Sequence, residues 1–398
     1  MKILLMAPQS FYMDRGTPIA VDNLLKVMSE RGDQVDVVAY HEGQDVHYPG
    51  VTIHRTPNVS FITNIPAGFS WKKIICDFLM IFTVLKLVTR NKYELVHAVE
   101  ESVFIAMITK MFFRLPYIYD MDSSLAQQMV EQMPALKIVS FIFEFFEKIA
   151  VKQARAVAPV CDALAADVER YSPNKKVVIL NDVSNLKDVK VSDEGGLRKQ
   201  LRIDGVMLMY VGNLQTYQGI DLLLESFALA MEKTDNAHLV IIGGANDDIE
   251  KYLVKAYHLG ILPKVRFLGP RPLSDLADYL AETDIVVSPR TKGQNTPMKV
   301  YSYLHSGKPM LATAMRTHTQ VVDNTNSMLT EPTVEKYAEG MVKLIEDEQL
   351  RVQIGTAGKN LIEANFSYPV FQGKLNQLFD WLKKDKTTYK QQVSYSSK

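Results

Sequence analysis

Val206-Met207-Leu208-Met209-Tyr210-Val211-Gly212-Asn213-Leu214 is followed shortly by Gln218-Gly219-Ile220-Asp221-Leu222-Leu223-Leu224-Glu225-Ser226-Phe227. Six apolar residues run into a glycine turn, and a segment with helical apolar spacing extends from Ile220 to Met231, so the stretch reads as strand, turn and helix. The pattern repeats downstream as strand Leu239 to Ile242, helix Asp247 to Leu259, and strands Val265 to Leu268 and Ile285 to Val287. It is also present upstream, in strands Ile3 to Ala7, Val35 to Ala39, Leu95 to His97, Tyr117 to Tyr119, Ala156 to Val160 and Val177 to Leu180. The intervening helices are Ile19 to Glu30, Phe141 to Lys152 and one from Asp162. Alternating short apolar strands and amphipathic helices predict parallel sheets covered on both faces. The polar stretch Asn181 to Gly196, with Asp193-Glu194-Gly195-Gly196, reads as a linker between two such domains.

The expected architecture is therefore α/β, with two Rossmann-like, doubly wound domains facing a cleft. Residues 1–183 form the first and 190–366 the second, a helix at about 367–385 packs back on the first, and 386–398 are a mobile tail. At 398 residues the chain is long enough for two cores. Lys plus Arg and Asp plus Glu are both 45, so no global field favours nucleic acid. Cys76 and Cys161 lie in no metal or disulfide spacing, which fits a reducing cytoplasm. Met1 to Pro8 reads as a first strand rather than an export signal, and the apolar segment Ile74 to Val88, interrupted by Asp77 and Lys86, is too short to span a bilayer.

Ser288-Pro289-Arg290-Thr291-Lys292-Gly293-Gln294-Asn295-Thr296-Pro297-Met298-Lys299 leads from a strand into a helix, with Thr296 placed as N-cap and Pro297 as the first helical residue. A helix start with Arg290, Lys292 and Lys299 around it suits a diphosphate, although an ordinary capped helix with solvated cations explains the same residues. In the first domain, Asp14-Arg15-Gly16-Thr17-Pro18 opens a helix after the first strand, and Gly16 lets backbone amides approach a phosphate or sugar. A plain turn with Thr17 as cap is the alternative.

The stretch around Gly212, together with Ile241-Ile242-Gly243-Gly244, Val265 to Gly269, Thr283 to Pro289 and Ser306-Gly307-Lys308-Pro309 to Thr313, resembles in content and order the donor domain of family-four retaining glycosyltransferases. The resemblance is strong over 206–365 and weaker over 1–183. It implies a GT-B fold, a nucleotide sugar bound to the second domain, and a metal-independent, configuration-retaining transfer with no cofactor beyond the donor. Taken together with the helix start and its cations, the donor-binding candidates are Gly16, Gly212, Asn213, Gln218, Arg290, Lys292, Gln294, Asn295, Thr296, Pro297, Met298, Lys299 and Ser302. Family members carry an arginine and a lysine where this chain has Asn213 and Gln218, and their paired glutamates fall near Gln294 and Ser302. The expectation is that Arg290, Lys292 and Lys299 supply the relocated charge.

His97, Glu100 and Asp122 lie near the ends of two strands of the first domain and are the catalytic candidates. Helix-dipole complement by Glu100 and a turn start at Asp122 are the structural alternatives. Thr317-His318-Thr319-Gln320, after another strand, reads either as a ligand contact or as a helix capped by Thr317. Residues 69–92, with Phe69, Trp71, Lys72 and Lys73 at one end and Lys86, Arg90 and Lys92 at the other, fit a core helix or one lying on a membrane.

The function expected is a hexosyl transfer from a UDP- or GDP-sugar to a saccharide or lipid-linked acceptor, in the cytoplasm or peripherally at the inner face of a membrane. A catalytically silent GT-B binding module and a nucleotide-sugar epimerase are the competing readings.

Overall fold

The computed structural model describes residues 1–13, 16–65, 70–124, 140–184, 186 and 196–396, with side chains described to Lys384. The chain divides into two compact units, Met1–Asn181 with Phe371–Lys398, and Asp182–Val370.

The first unit has strands β1 (Lys2–Ala7), β2 (Gln34–Ala39), β3 (Val51–Arg55), β4 (Leu95–Val99), β5 (Tyr117–Met121), β6 (Ala156–Pro159) and β7 (Lys176–Val177). Its helices are α1 (Gly16–Glu30), α2 (Trp71–Arg90), α3 (Val103–Phe113), α4 (Ser140–Gln153) and α5 (Asp162–Tyr171). All strand pairs are parallel, in the order β3-β2-β1-β4-β5-β6-β7. Ile3 to Ala7 are wholly buried, as a central strand covered on both faces requires. Chain order reverses between β1 and β4, so the loops after these strands flank the switch point where open α/β sheets take ligands.

The second unit repeats the plan. Its strands are β8 (Val206–Val211), β9 (Ala237–Ile242), β10 (Val265–Gly269), β11 (Ile285–Ser288), β12 (Met310–Thr313) and β13 (Met328–Thr330). They are parallel, in the order β10-β9-β8-β11-β12-β13, with the reversal between β8 and β11. The helices are α6 (Leu197–Gln200), α7 (Ile220–Met231), α8 (Asn246–His258), α9 (Leu276–Ala281), α10 (Lys299–His305), α11 (Arg316–Thr319), α12 (Val334–Glu346) and α13 (Glu348–Asn365). Alternate residues of β8 serve two cores: Leu208 and Tyr210 join one, Met207 and Met209 the other. Thr333 caps α12 by accepting from the Lys336 amide at 3.4 Å, and Asp347 caps α13 by accepting from Leu350 at 2.8 Å.

A final helix, α14 (Tyr368–Ser396), belongs almost entirely to the first unit. Phe371, Leu375, Leu378, Phe379 and Leu382 are buried, the Arg31 guanidinium stacks over Phe379 at 5.5 Å, and Arg31 Nη2 donates to Asp380 at 2.6 Å. Helical backbone continues to Ser396, while side chains of the expected tail at 386–398 lie outside the described residues, as does most of the expected linker.

Several local expectations are corrected. β7 has two residues rather than extending to Leu180, with Val178 and Leu180 each donating one further backbone bond to the neighbouring segment. Thr17 lies inside α1, not at its cap. α10 begins at Lys299 with no side-chain cap, because Thr296 and Pro297 precede it in a turn whose Pro297 carbonyl accepts from Val300 at 2.9 Å. Thr317 lies within α11, which likewise has no side-chain cap.

Candidate functional site

At the switch point of the second sheet, Gly212 follows β8 and Arg290 follows β11. Gly212 adopts φ +149, and a β-carbon there would stand 3.0 Å from Lys299 Nζ and 3.1 Å from the Tyr210 hydroxyl oxygen. Gly243, after β9, has φ +106, and a β-carbon on it would come within 2.2 Å of the Gly212 carbonyl oxygen. Both positions therefore exclude side chains, and they bring bare backbone together beside a lysine head.

Lys299 opens α10. Its ammonium is buried, has no hydrogen-bond partner, and sits 3.8 Å from the centroid of the Tyr210 ring. Burial, aided by the nearby Arg290 charge, holds its pKa well below the ordinary lysine value. Arg290 stacks over Tyr217 at 5.1 Å and donates from Nε to the Lys292 carbonyl at 2.8 Å, so its fork is held from below and behind. The loop 213–219 is locked to this corner: Thr291 donates its amide to the Tyr217 carbonyl at 3.0 Å, and the chain passes so close that a β-carbon on Gly219 would lie 2.0 Å from the Pro289 carbonyl oxygen. No acidic residue occurs between Asp284 and Asp323, so this part of the chain carries only basic charge, from Arg290, Lys292, Lys299, Lys308 and Arg316.

The remaining expected donor residues take different places. Asn213 is exposed and its side chain bonds locally, to Tyr217 Oη at 3.4 Å and from the Gln215 amide at 3.3 Å. Gln218 is buried, and its Oε1 lacks a partner. Gln294 and Thr296 are tied together by Gln320, whose Nε2 donates to the Gln294 carbonyl at 2.8 Å and to Thr296 Oγ1 at 3.0 Å. Asn295, Pro297 and Met298 complete the turn, Lys292 is exposed, and Ser302 is buried one turn into α10.

Two supporting residues, Tyr210 and Tyr303, were not among the expected contacts, and a third, His318, lies in the segment read as a ligand contact or a capped helix. Tyr210 presents its ring to Lys299 and donates its hydroxyl to the Asn213 carbonyl at 2.6 Å. Tyr303 binds α10 to β8 by accepting from the Val211 amide at 2.6 Å. His318 is wholly buried; its Nδ1–H donates to the Thr313 carbonyl at 2.9 Å, which leaves Nε2 to accept from the Ser288 hydroxyl at 2.8 Å. Burial lowers its pKa to about 3 despite the Thr313 bond, with Arg290 and Lys299 adding to the fall. His318 is thus a neutral strut between the ends of β11 and β12. The segment 317–320 reads from sequence as a ligand contact or a capped helix, whereas both His318 ring nitrogens are taken by Ser288 and Thr313.

In the first unit, Glu100 comes directly after β4 at the switch point, with a left-handed backbone at φ +48. Burial, then the charge of Glu101, raises its carboxyl to about 7, against the opposing pull of Lys73 and a 3.3 Å bond from the Ser123 hydroxyl. Asp77, which accepts from the Tyr40 hydroxyl at 2.5 Å, is likewise raised to about 7 by burial and Glu101. Lys73 pairs with Glu101. Asp122 is half-buried, one residue past β5, and its neighbour Ser123 is the residue that bonds Glu100. Gly16, the first residue of α1, is exposed, with nothing within 4 Å of where a β-carbon would lie.

His97 is not at a strand end. It is the middle residue of β4, wholly buried, bonded to Asp120 Oδ2 at 3.0 Å and packed 6.4 Å from the Phe379 ring of α14. The strand runs on to Val99, which takes His97 out of reach of the loops.

The family model described as glycosyl transferases group 1 matches residues 196–361, and that of the glycosyl transferase 4-like domain matches residues 15–182. The chain belongs to the family-four-type GT-B glycosyltransferases. Among curated relatives, the D-inositol 3-phosphate glycosyltransferase of Corynebacterium diphtheriae is 27% identical over 182 residues, 44% of this chain and 42% of that protein. The chain thus spans less than half the length of that relative. An uncharacterized glycosyltransferase of Methanocaldococcus jannaschii is 20% identical over 96% of this chain and 99% of its own length.

The same fold is found in sucrose-phosphate synthase from Thermosynechococcus elongatus, with TM-score 0.80 and 19% identity over 96% of this chain and 99% of that one. Anabaena HepE, solved in complex with UDP and glucose, superposes with TM-score 0.74 and 18% identity over 96% and 99% of the two chains. Asn213 and Gln218, where the resemblance leads one to expect an arginine and a lysine, both belong to the loop that locks onto Pro289 and Thr291 beside the Arg290 and Lys299 cations.

Proposed function

We propose that the chain transfers a sugar from a nucleoside diphosphate sugar to an acceptor hydroxyl, with retention at the anomeric carbon and with no metal ion. One observation carries the donor half of this reading: the Lys299 ammonium is buried, unpartnered and set against the side-chain-free backbone at Gly212. A diphosphate is the partner that such a group lacks, and the charge that grows on its leaving oxygen is what fixed cations and amides stabilise without reorganising. Arg290 serves the same charge from the other side of the turn. These two cations take the place of the arginine and lysine replaced by Asn213 and Gln218.

The complexes of Anabaena HepE with UDP and with UDP-glucose favour a UDP-sugar as donor. Glu100, with a carboxyl raised to about 7 just past β4, suits a hydrogen bond to an acceptor hydroxyl in either protonation state, and Asp122, one residue past the neighbouring strand β5, is the second candidate. The acceptor class we favour is a saccharide or lipid-linked saccharide. A cytoplasmic setting supplies the donor and suits two buried cysteines that form no disulfide.

Titration calorimetry with UDP and GDP tests the reading. One nucleotide binds the wild-type protein, and Lys299→Ala weakens it by about 10- to 100-fold, as loss of a charge-assisted contact does. Equal affinity in wild type and variant, or no binding of either nucleotide, overturns it. The uncharged residues at 213 and 218 favour one rival, a silent binding module. Slow release of free sugar from the bound donor, lost in Lys299→Ala, excludes that rival.

A further inference from the structure

The helix α2 has two apolar faces, and only one is used. Cys76, Met80, Val84 and Val88 enter the core of the first unit. On the opposite side Trp71, Ile74, Phe78 and Phe82 follow one another at helical spacing with exposures of 57%, 52%, 59% and 54%. The last two rings meet edge to face at 4.9 Å. α3 packs beside α2, and α4 beside α3. Their contribution continues the same chemistry, since Phe112 on α3 is 68% exposed and Phe145 on α4 is 58% exposed. Exposed apolar residues on a soluble surface are ordinarily scattered, and a run of aromatics on adjoining helices marks an interaction face.

Charge identifies what the face meets. The chain as a whole is neutral. Yet the exposed ionisable residues on α2, on α4 and at the end of α3 are Lys86, Arg90, Arg114, Lys148 and Lys152 against Glu144 alone. Among the described residues no helix is long and apolar enough to cross a membrane, so α2 has the make-up of a helix that lies on one. We infer that this face of the first unit docks on an anionic lipid surface, with the aromatic side chains at the acyl boundary and the cations among the headgroups. The inference stands independently of the donor site, which lies in the other unit.

The test is flotation of the full chain with vesicles of phosphatidylcholine alone and of phosphatidylcholine mixed with phosphatidylglycerol. The protein floats with the mixed vesicles and not with the neutral ones, and added salt reduces the bound fraction. Phe78→Ser with Phe82→Ser, and separately Lys86→Glu with Arg90→Glu, lower partitioning by at least about tenfold while the circular-dichroism melting curve stays that of wild type. Failure of the wild-type chain to float with either vesicle, or equal flotation of the folded variants, overturns the inference. So does a dimer in light scattering that the two phenylalanine substitutions convert to monomer, since a second copy then covers the face.

Discussion

Burying an unpaired polar group costs a folded protein about 1–3 kcal/mol, and more when the group is charged. Lys299 carries that cost, because its ammonium has no hydrogen-bond partner and its pKa is depressed by burial and by Arg290. Between the depressed folded value and the ordinary 10.5 the unfolded chain binds more protons, so this residue makes stability rise with pH across that window. Lys299→Met keeps the stem and removes the charge. Its thermal midpoint without nucleotide should exceed that of wild type at neutral pH, by a few degrees for about 1 kcal/mol, while the gain that UDP confers on wild type disappears. A lower midpoint without nucleotide means that the ammonium is a structural contact and not a waiting one. Glu100 shows the opposite linkage. Its folded value of about 7 lies above the ordinary 4.5, so the folded state holds the extra proton and stability falls as pH rises through that interval. Glu100→Gln should therefore match wild type near pH 4.5 and melt roughly 2–4 °C higher above pH 7, the size of about 1 kcal/mol in a unit of this length. Asp77, raised to about 7 by burial and then by the same Glu101, keeps a residual slope in that variant. Parallel melting curves for the two proteins across the range refute the assignment.

At the scale of elements, the proposed donor site is made of strand ends and the turns that follow them. The turn after β9 shapes the turn after β8: Gly243 at φ +106 passes so close to the Gly212 carbonyl that even a methyl group displaces one of them. Gly243→Ala should lower the urea midpoint by an amount worth about 2–3 kcal/mol without changing the slope, and weaken UDP binding in calorimetry. Gly16→Ala is the contrast, because a methyl group there meets nothing within 4 Å and leaves the urea midpoint in place. An unchanged midpoint for Gly243→Ala means that the two turns are not coupled. The same scale explains why α10 starts later than Thr296 suggests. A threonine followed by proline carries the local signature of a helix start, but here Gln320 engages Thr296 and draws the turn aside before Lys299 begins the helix.

Across the whole molecule, the strands that were easiest to read are those buried on both faces. β1, β8 and β11 are continuous apolar runs because helices cover them above and below. β3 and β13 escaped notice for the converse reason: Thr52, His54 and Arg55 give β3 a polar, partly exposed sequence, and β13 has three residues, none fully buried. In the second unit, the basic turn from Arg290 to Lys299 was legible from its own residues. The burial of the Lys299 head was not, since it depends on Tyr210 and Gly212, which arrive from a distant strand. His97 was misplaced because two further residues of β4, Ala98 and Val99, read as loop when taken alone. The acidic cluster around Glu100 was half visible: Glu100 stands out at a strand end, whereas Glu101 with Lys73, and Asp77 with Tyr40, join it only through folding.

The pairing of α14 with the first unit also orders events in time. A ribosome releases Met1 to Asn181 first, then the whole of the second unit, and only afterwards Phe371, Leu375 and Phe379. Until then the nascent first unit lacks the partner that covers His97 and stacks beneath Arg31, whereas the second unit is contiguous and can close as soon as it emerges. During synthesis the portion made earlier is therefore the one completed later, and it waits with part of its core uncovered for the helix that seals it.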